Sequence, residues 1–214
     1  MAHGSDAALP VRILSDGVEA GGLALERPDG LIARYKLDAG SVFEDRRACP
    51  IDLDDAGVTF LSEVPAIGCA NRWLNPAGAA DFDGDGHPEI AFVETPDIGG
   101  ILRLYEFRDR KLHEDHAAPG LSDHATGSRE QSQSAVHDWT GDGIADIAVP
   151  YARRRALRFV TFAGGTFREF ETIAHDQPIV TAIRPARLED GGPIYAVYGL
   201  ADGRIVAVKP QKGP

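Results

Sequence analysis

Apolar residues fall in short runs along the chain, and many alternate with polar ones. A period of two marks a strand with one face in a core. Gly22-Leu23-Ala24-Leu25-Glu26 and Leu31-Ile32-Ala33-Arg34-Tyr35-Lys36-Leu37 read as two strands around a turn at Arg27-Pro28-Asp29-Gly30. Val58 to Val64 alternates in the same way, and Val11–Leu14 is a further β-prone run. Ser41 to Asp55 is charged, contains Pro50, and is predicted to be irregular. Beyond Asn75 the runs are regular. Strands are predicted at Ile90–Val93, Ile101–Phe107 and Lys111–Asp115, with Gly78-Ala79-Ala80 leading in. A second set lies at Ser134–Val136, Ile147–Val149, Ala156–Phe162 and Thr166–Ile173, with Gly164-Gly165 as its last hairpin. Ile194–Tyr198 and Arg204–Val208 follow, and no helix of useful length is predicted.

These runs group into units at about 11–66, 75–119, 133–175 and 180–210, the last with three strands where its predecessors have four. Tyr195-Ala196-Val197 matches Ile147-Ala148-Val149. Repeats of about 40–60 residues with four short strands each point to an all-β β-propeller, whose small sheets bury their faces by packing around an axis. The expected arrangement is a leader at 1–9 and one domain over 10–214, with four to five four-stranded antiparallel blades. The missing strand of the last unit leaves an open sheet edge. Val11–Leu14 beside Arg204–Val208 would close it; so would a second copy in a homodimer, and a fragment of a larger ring would leave it open.

The most informative chemistry is Asp81-Phe82-Asp83-Gly84-Asp85-Gly86-His87-Pro88-Glu89, with carboxylates at loop positions 1, 3, 5 and 9. A hard cation such as Ca²⁺ takes six to eight oxygens, and four clustered carboxylates repel one another without one. Gly84 and Gly86 permit the curl, which leaves the His87 carbonyl to face the ion. The pattern returns 57 residues later as Asp138-Trp139-Thr140-Gly141-Asp142-Gly143-Ile144-Ala145-Asp146. Thr140 replaces one carboxylate there, and the Ile144 carbonyl takes the place of that of His87. The flanks repeat as well, Glu89-Ile90-Ala91-Phe92-Val93 against Asp146-Ile147-Ala148-Val149. Position 12 is Phe92 or Val149 within an apolar β-prone run, which excludes the EF-hand with its position-12 Glu between helices.

The pair of loops resembles the FG-GAP or VCBS repeat, the calcium-binding blade loop of integrin-α-type propellers, over about residues 70–165. The resemblance implies ligands from positions 1, 3, 5 and 9 and the carbonyl of position 7. That assigns Asp81, Asp83, Asp85, His87 and Glu89 to one site, and Asp138, Thr140, Asp142, Ile144 and Asp146 to a second, with two Ca²⁺ ions. In the first unit, Asp52, Asp54 and Asp55 read as eroded remains of such a loop. In the fourth unit only Asp190 survives at a ligand position, and no ion is expected there.

The net charge of −11 and pI near 5.0 argue against nucleic acid and against an anionic membrane surface. No run is long and apolar enough for a membrane helix. Met1-Ala2-His3-Gly4-Ser5 reads as an added leader, and no signal peptide follows it. Calcium loops saturate most readily outside the cytosol, so a periplasmic or secreted location is expected. Cys49 and Cys69 are the only cysteines, and they are equally compatible with one disulfide or with two thiols.

Two inter-unit connections carry further functional side chains: Asn71, Arg72 and Trp73 in one, His124 and Arg129 in the other. The arginines suit a carboxylate or phosphate, Trp73 a sugar ring, and His124 acid–base chemistry. The same residues equally serve to tie neighbouring blades together. His113, Asp115 and His116 read as a solvated strand end, and Arg153-Arg154-Arg155 as a basic hairpin tip. There is no Gly-x-Ser-x-Gly nucleophile motif and no Cys-x-x-Cys. The expected function is a non-catalytic, calcium-stabilised binding or scaffold module with a protein or carbohydrate ligand. The alternative is a polysaccharide lyase or hydrolase using His124, Arg129 and Arg72 on the channel rim.

Overall fold

The computed structural model describes residues 22–26, 32–38, 47–54, 57–60, 64, 74–109 and 111–211. Among these the chain is all-β, with four antiparallel sheets that each run up and down in chain order and one short 3-10 turn at Ala152–Arg154. The first sheet holds β1 (Gly22–Glu26), β2 (Ile32–Asp38), β3 (Arg47–Asp54) and β4 (Gly57–Phe60). The second holds β5 (Leu74–Ala80), β6 (Glu89–Glu94), β7 (Ile101–Arg108) and β8 (Lys111–Pro119). The third holds β9 (Ala135–His137), β10 (Asp146–Pro150), β11 (Ala156–Thr161) and β12 (Arg168–Ala174). The fourth has three strands, β13 (Arg184–Arg187), β14 (Ile194–Gly199) and β15 (Ile205–Val208).

β6 and β10 are apolar on both faces because both faces are covered. On β6, Ala91 and Val93 enter one core cluster while Ile90 and Phe92 enter another. On β10, Ile147 and Val149 join the cluster of Ala91 and Val93, and Ala148 joins a third cluster with Ala196 and Tyr198 of β14. The second and third sheets therefore share one core, and the third and fourth share the next. The first strands of successive sheets are neighbours, β5 beside β9 and β9 beside β13. The approach is close at Gly78, where an added Cβ would lie 2.3 Å from Val136 Cγ2.

Two expectations change. Residues 41–55 were expected to be irregular, yet Arg47–Asp54 is a full strand between β2 and β4. Pro50 lies within it, paired with Tyr35 of β2 and beyond the last β3–β4 pair, Ile51–Phe60. Asp52 and Asp54 consequently lie on the third strand, at the hairpin where Asp54 pairs with Gly57. The carboxylate loops elsewhere join first to second strands, so these aspartates are no remnant of one. In the first sheet the corresponding link is only residues 27–31. Val11–Leu14, Asn71, Arg72, Trp73 and Cys69 lie outside the described residues.

The topology fixes where chemistry sits. Residues 81–88 enter β6 and residues 138–145 enter β10, so both loops lie at the same end of their sheets. The turns that leave β6 and β10 lie at the opposite end.

Candidate metal centre

The two loops share most of their hydrogen bonds. In the first, Asp81 accepts hydrogen bonds from Gly84 N (2.7 Å) and Gly86 N (2.9 Å), and Asp85 accepts from His87 N (2.8 Å). In the second, Asp138 accepts from Gly141 N and Gly143 N, and Asp142 from Ile144 N (2.9 Å). Each loop closes through its last carboxylate. Glu89 accepts from Phe82 N at 2.7 Å, and Asp146 from Trp139 N at 2.8 Å. The aromatic at position 2 is buried in both, as Phe82 and Trp139, and anchors the loop to the core. Gly84 and Gly141 have φ of 83° and 78°, and Gly86 and Gly143 both have 92°, a region that L side chains occupy only under strain. The loops also touch. Gly84 faces the Ile144 side chain, and Gly164 N donates to the Asp83 carbonyl at 2.9 Å.

In the first loop Asp81, Asp83, Asp85 and Glu89 each place an oxygen within 4.8 Å of the others. Glu89 is almost fully buried, and burial pushes its carboxyl up to about 8, with the charges of Asp83, Asp81 and Asp115 adding to the rise. Asp83 is raised as well, chiefly by burial. Across the sheet Glu89 pairs directly with Glu106 of β7, which is also buried. Two carboxylates opposite each other in neighbouring strands are destabilising. One Glu106 oxygen, Oε1, is buried without a hydrogen-bond partner.

Three ligand-type side chains beside the loop were not assigned to it from sequence: Asp115 and His116 read as a solvated strand end, and Glu106 was not singled out. Asp115, His116 and Glu106 join two further groups, Asp83 with Asp115 and His116, and Asp85 with the His87 imidazole and Glu106. Asp115 reaches the loop because the β7–β8 register shifts between Leu104 and Tyr105, pairing Leu104 with His116 and Tyr105 with Glu114. Asp115 is the residue left over. A bulge of this kind re-aims one side chain, and nothing in the local sequence signals it.

The second loop is more lightly charged. Thr140 stands where Asp83 does, and the position opposite Asp146 is Thr161 rather than a glutamate. Burial raises the Asp146 carboxyl, and hydrogen bonds from Thr140, Thr161 and Trp139 oppose that rise. Among the described residues, every group of three or more metal-type side chains lies in or beside the first loop.

Of the rim residues, His124 and Arg129 are described, and they differ in exposure. His124 is buried, with Nε2 3.1 Å from the Ser128 carbonyl and Nδ1 3.6 Å from Asp97. Burial lowers its pKa against the opposing effects of Ser128 and Asp97. Arg129 is exposed. Asn75 is buried and donates to the Gln131 carbonyl at 2.9 Å, tying the second sheet to the connection into the third.

No protein-family model matches the chain, and no curated protein matches it either.

Proposed function

We propose that this chain is a non-catalytic binding or scaffold module, a calcium-binding β-propeller of the FG-GAP/VCBS kind, in which the cation is structural. The propeller reading is supported by the consecutive meander sheets, their shared cores and the adjacency of their first strands. The observation that carries the metal reading is buried Glu89 directly opposite buried Glu106, at the close of a loop with three further carboxylates. Arg108 lies 3.2 Å from Glu106 and compensates it, whereas Glu89 has no ion-pair partner among the described residues, so Glu89 is stable there only when protonated or when a cation sits against it. The four carboxylates grouped in the loop, Asp81, Asp83, Asp85 and Glu89, are all oxygen donors, which favours calcium over zinc. Asp81, Asp83, Asp85, Glu89 and the His87 carbonyl would hold one ion. Asp138, Thr140, Asp142, Asp146 and the Ile144 carbonyl would hold a second, weaker one. The ligand is a protein or carbohydrate met in the periplasm or outside the cell. A binding module is favoured over a lyase or hydrolase because His124 is buried and hydrogen-bonded while Arg129 is exposed.

Calorimetric titration with calcium tests the assignment. Asp83→Ala is expected to abolish the tighter binding step, because Asp83 brings a formal charge to the ion. Thr140→Ala is expected to change only the weaker step, because Thr140 offers a neutral oxygen. Equal losses in the two variants would mean that the loop registers are misassigned.

A further inference from the structure

The sheet ends opposite the carboxylate loops hold a cleft of about 520 Å³. Its walls come from the turn leaving β6, which carries Asp97; the connection leaving β8, with Ser122 and Thr126; and the turn leaving β10, with Arg153 and Arg154. The volume suits a small molecule. Two arginines against one aspartate make the site locally positive in a chain of net charge −11. Sequence reading placed those arginines on a solvated tip, but the fold turns them onto the connection out of β8.

The backbone here is unusual. Arg153 and Arg154 hold consecutive left-handed conformations, with φ of 60° and 55°. Non-glycine residues pay for that region in strain, which persists where surrounding structure requires it and clusters at ligand sites. Arg154 is half-buried and already oriented, its Nη1 donating to the His124 carbonyl at 2.9 Å. A guanidinium has five N–H donors, so this bond leaves others for a ligand. The Asp97 carboxylate sits 3.6 Å from His124 Nδ1 and is one of the charges that Arg154 feels. Gly100 holds the wall narrow: its carbonyl accepts from Gly120 N and Leu121 N, and a Cβ there would lie 1.7 Å from the Leu121 oxygen.

We infer that this cleft binds a small carboxylate flanked by a hydrogen-bond donor, with the carboxylate on Arg153 and Arg154 and the donor towards Asp97. Planar guanidinium forks match a carboxylate in two parallel bonds. A doubly charged phosphate would meet Asp97 at close range, whereas a singly charged acid with its own hydroxyl or ammonium satisfies both signs. Hydroxy acids, including sugar acids, and amino acids share that chemistry. The site goes beyond the metal-binding reading and does not depend on it, since it lies at the other end of the sheets.

The test is titration of the intact chain with sodium glucuronate, glycine, glucose and inorganic phosphate at constant ionic strength, followed by calorimetry or amide chemical shifts. Glucuronate or glycine is expected to bind saturably, and glucose and phosphate at least tenfold more weakly. Binding by glucuronate alone identifies a hydroxy acid, and binding by glycine alone an amino acid. Arg153→Gly is expected to raise the melting temperature, because glycine accepts the left-handed conformation, and yet to weaken binding at least tenfold. Arg154→Lys is expected to weaken it similarly through loss of the fork. The same affinities are expected in calcium and in chelator. Absence of saturable binding by both acids, equal binding of glucose, tighter binding of phosphate, or unchanged affinity in Arg153→Gly would each overturn the inference.

Discussion

Glu89 combines a loop closure, a buried charge and a like-charged neighbour in one side chain. Its carboxylate is held by Phe82 N, yet it faces Glu106 across β6 and β7. Glu89→Gln keeps an acceptor for that bond and is neutral without taking up a proton, which the wild-type carboxyl, pushed up to about 8 by burial, must do at neutral pH. In chelator the variant is expected to be more stable than the wild type at neutral pH, by on the order of 1–2 kcal/mol. In calcium it should lose most of the stabilisation by the ion, and thermal melts in the two buffers check both signs. Asp123 gives a pH dependence far from the loops. It is fully buried, and burial holds its pKa well above the ordinary 3.8 against the opposing effect of the Asn75 side chain. The native state therefore keeps a proton that the unfolded chain loses near pH 4. Its contribution to stability is fully present below that pH and declines as pH rises towards the native pKa. Asp123→Asn, neutral throughout, should gain on the wild type as pH rises from 4 to 7 in denaturant titrations. A constant difference across that range would mean that the carboxyl does not titrate abnormally.

At the scale of elements, what the sequence disclosed depended on how each strand is buried. β6 and β10 were legible because Ile90 to Val93 and Ile147 to Val149 are apolar on both faces. β3 was hidden because Arg47, Pro50, Asp52 and Asp54 carry turn and charge signals, and its strand character comes from pairing with β2 and β4. The loop ligands could be read from spacing. Asp115 could not, since a register shift within the β7–β8 hairpin delivers it. Arg153 and Arg154 were recognised as basic, but their place in a cleft depends on two backbone conformations that no local pattern specifies. The fourth sheet supplies the prediction that belongs at this scale. Among the described residues β15 pairs only with β14, so its outer side is an edge. If Val11–Leu14 covers that edge, deleting the first fifteen residues should cost several kcal/mol, roughly the ladder bonds and apolar cover together. It should also promote self-association, read by light scattering. A truncated chain that melts like the full one and keeps its oligomeric state would leave the edge to another partner.

Across the whole molecule, the two sheet ends divide the chemistry. Acidic loops crowd one end and touch each other through Gly84 and Ile144. The other end presents Asp97, Arg153 and Arg154 around a cleft. Sheets that share cores transmit the stability of one loop to its neighbours, because the buried anchors Phe82 and Trp139 sit in successive cores. An ion in the first loop should thus be felt in the global melt and not merely as local ordering. The direct measurement is a thermal melt of the intact chain in chelator and again in calcium at a hundredfold excess over Kd. Binding only to the native state contributes about 2.7 kcal/mol at that excess, which for a chain of this size raises Tm by roughly 5–10 °C. The account predicts that rise, reversed by chelator and not reproduced by sodium at equal ionic strength. Superimposable melts with and without calcium would contradict it.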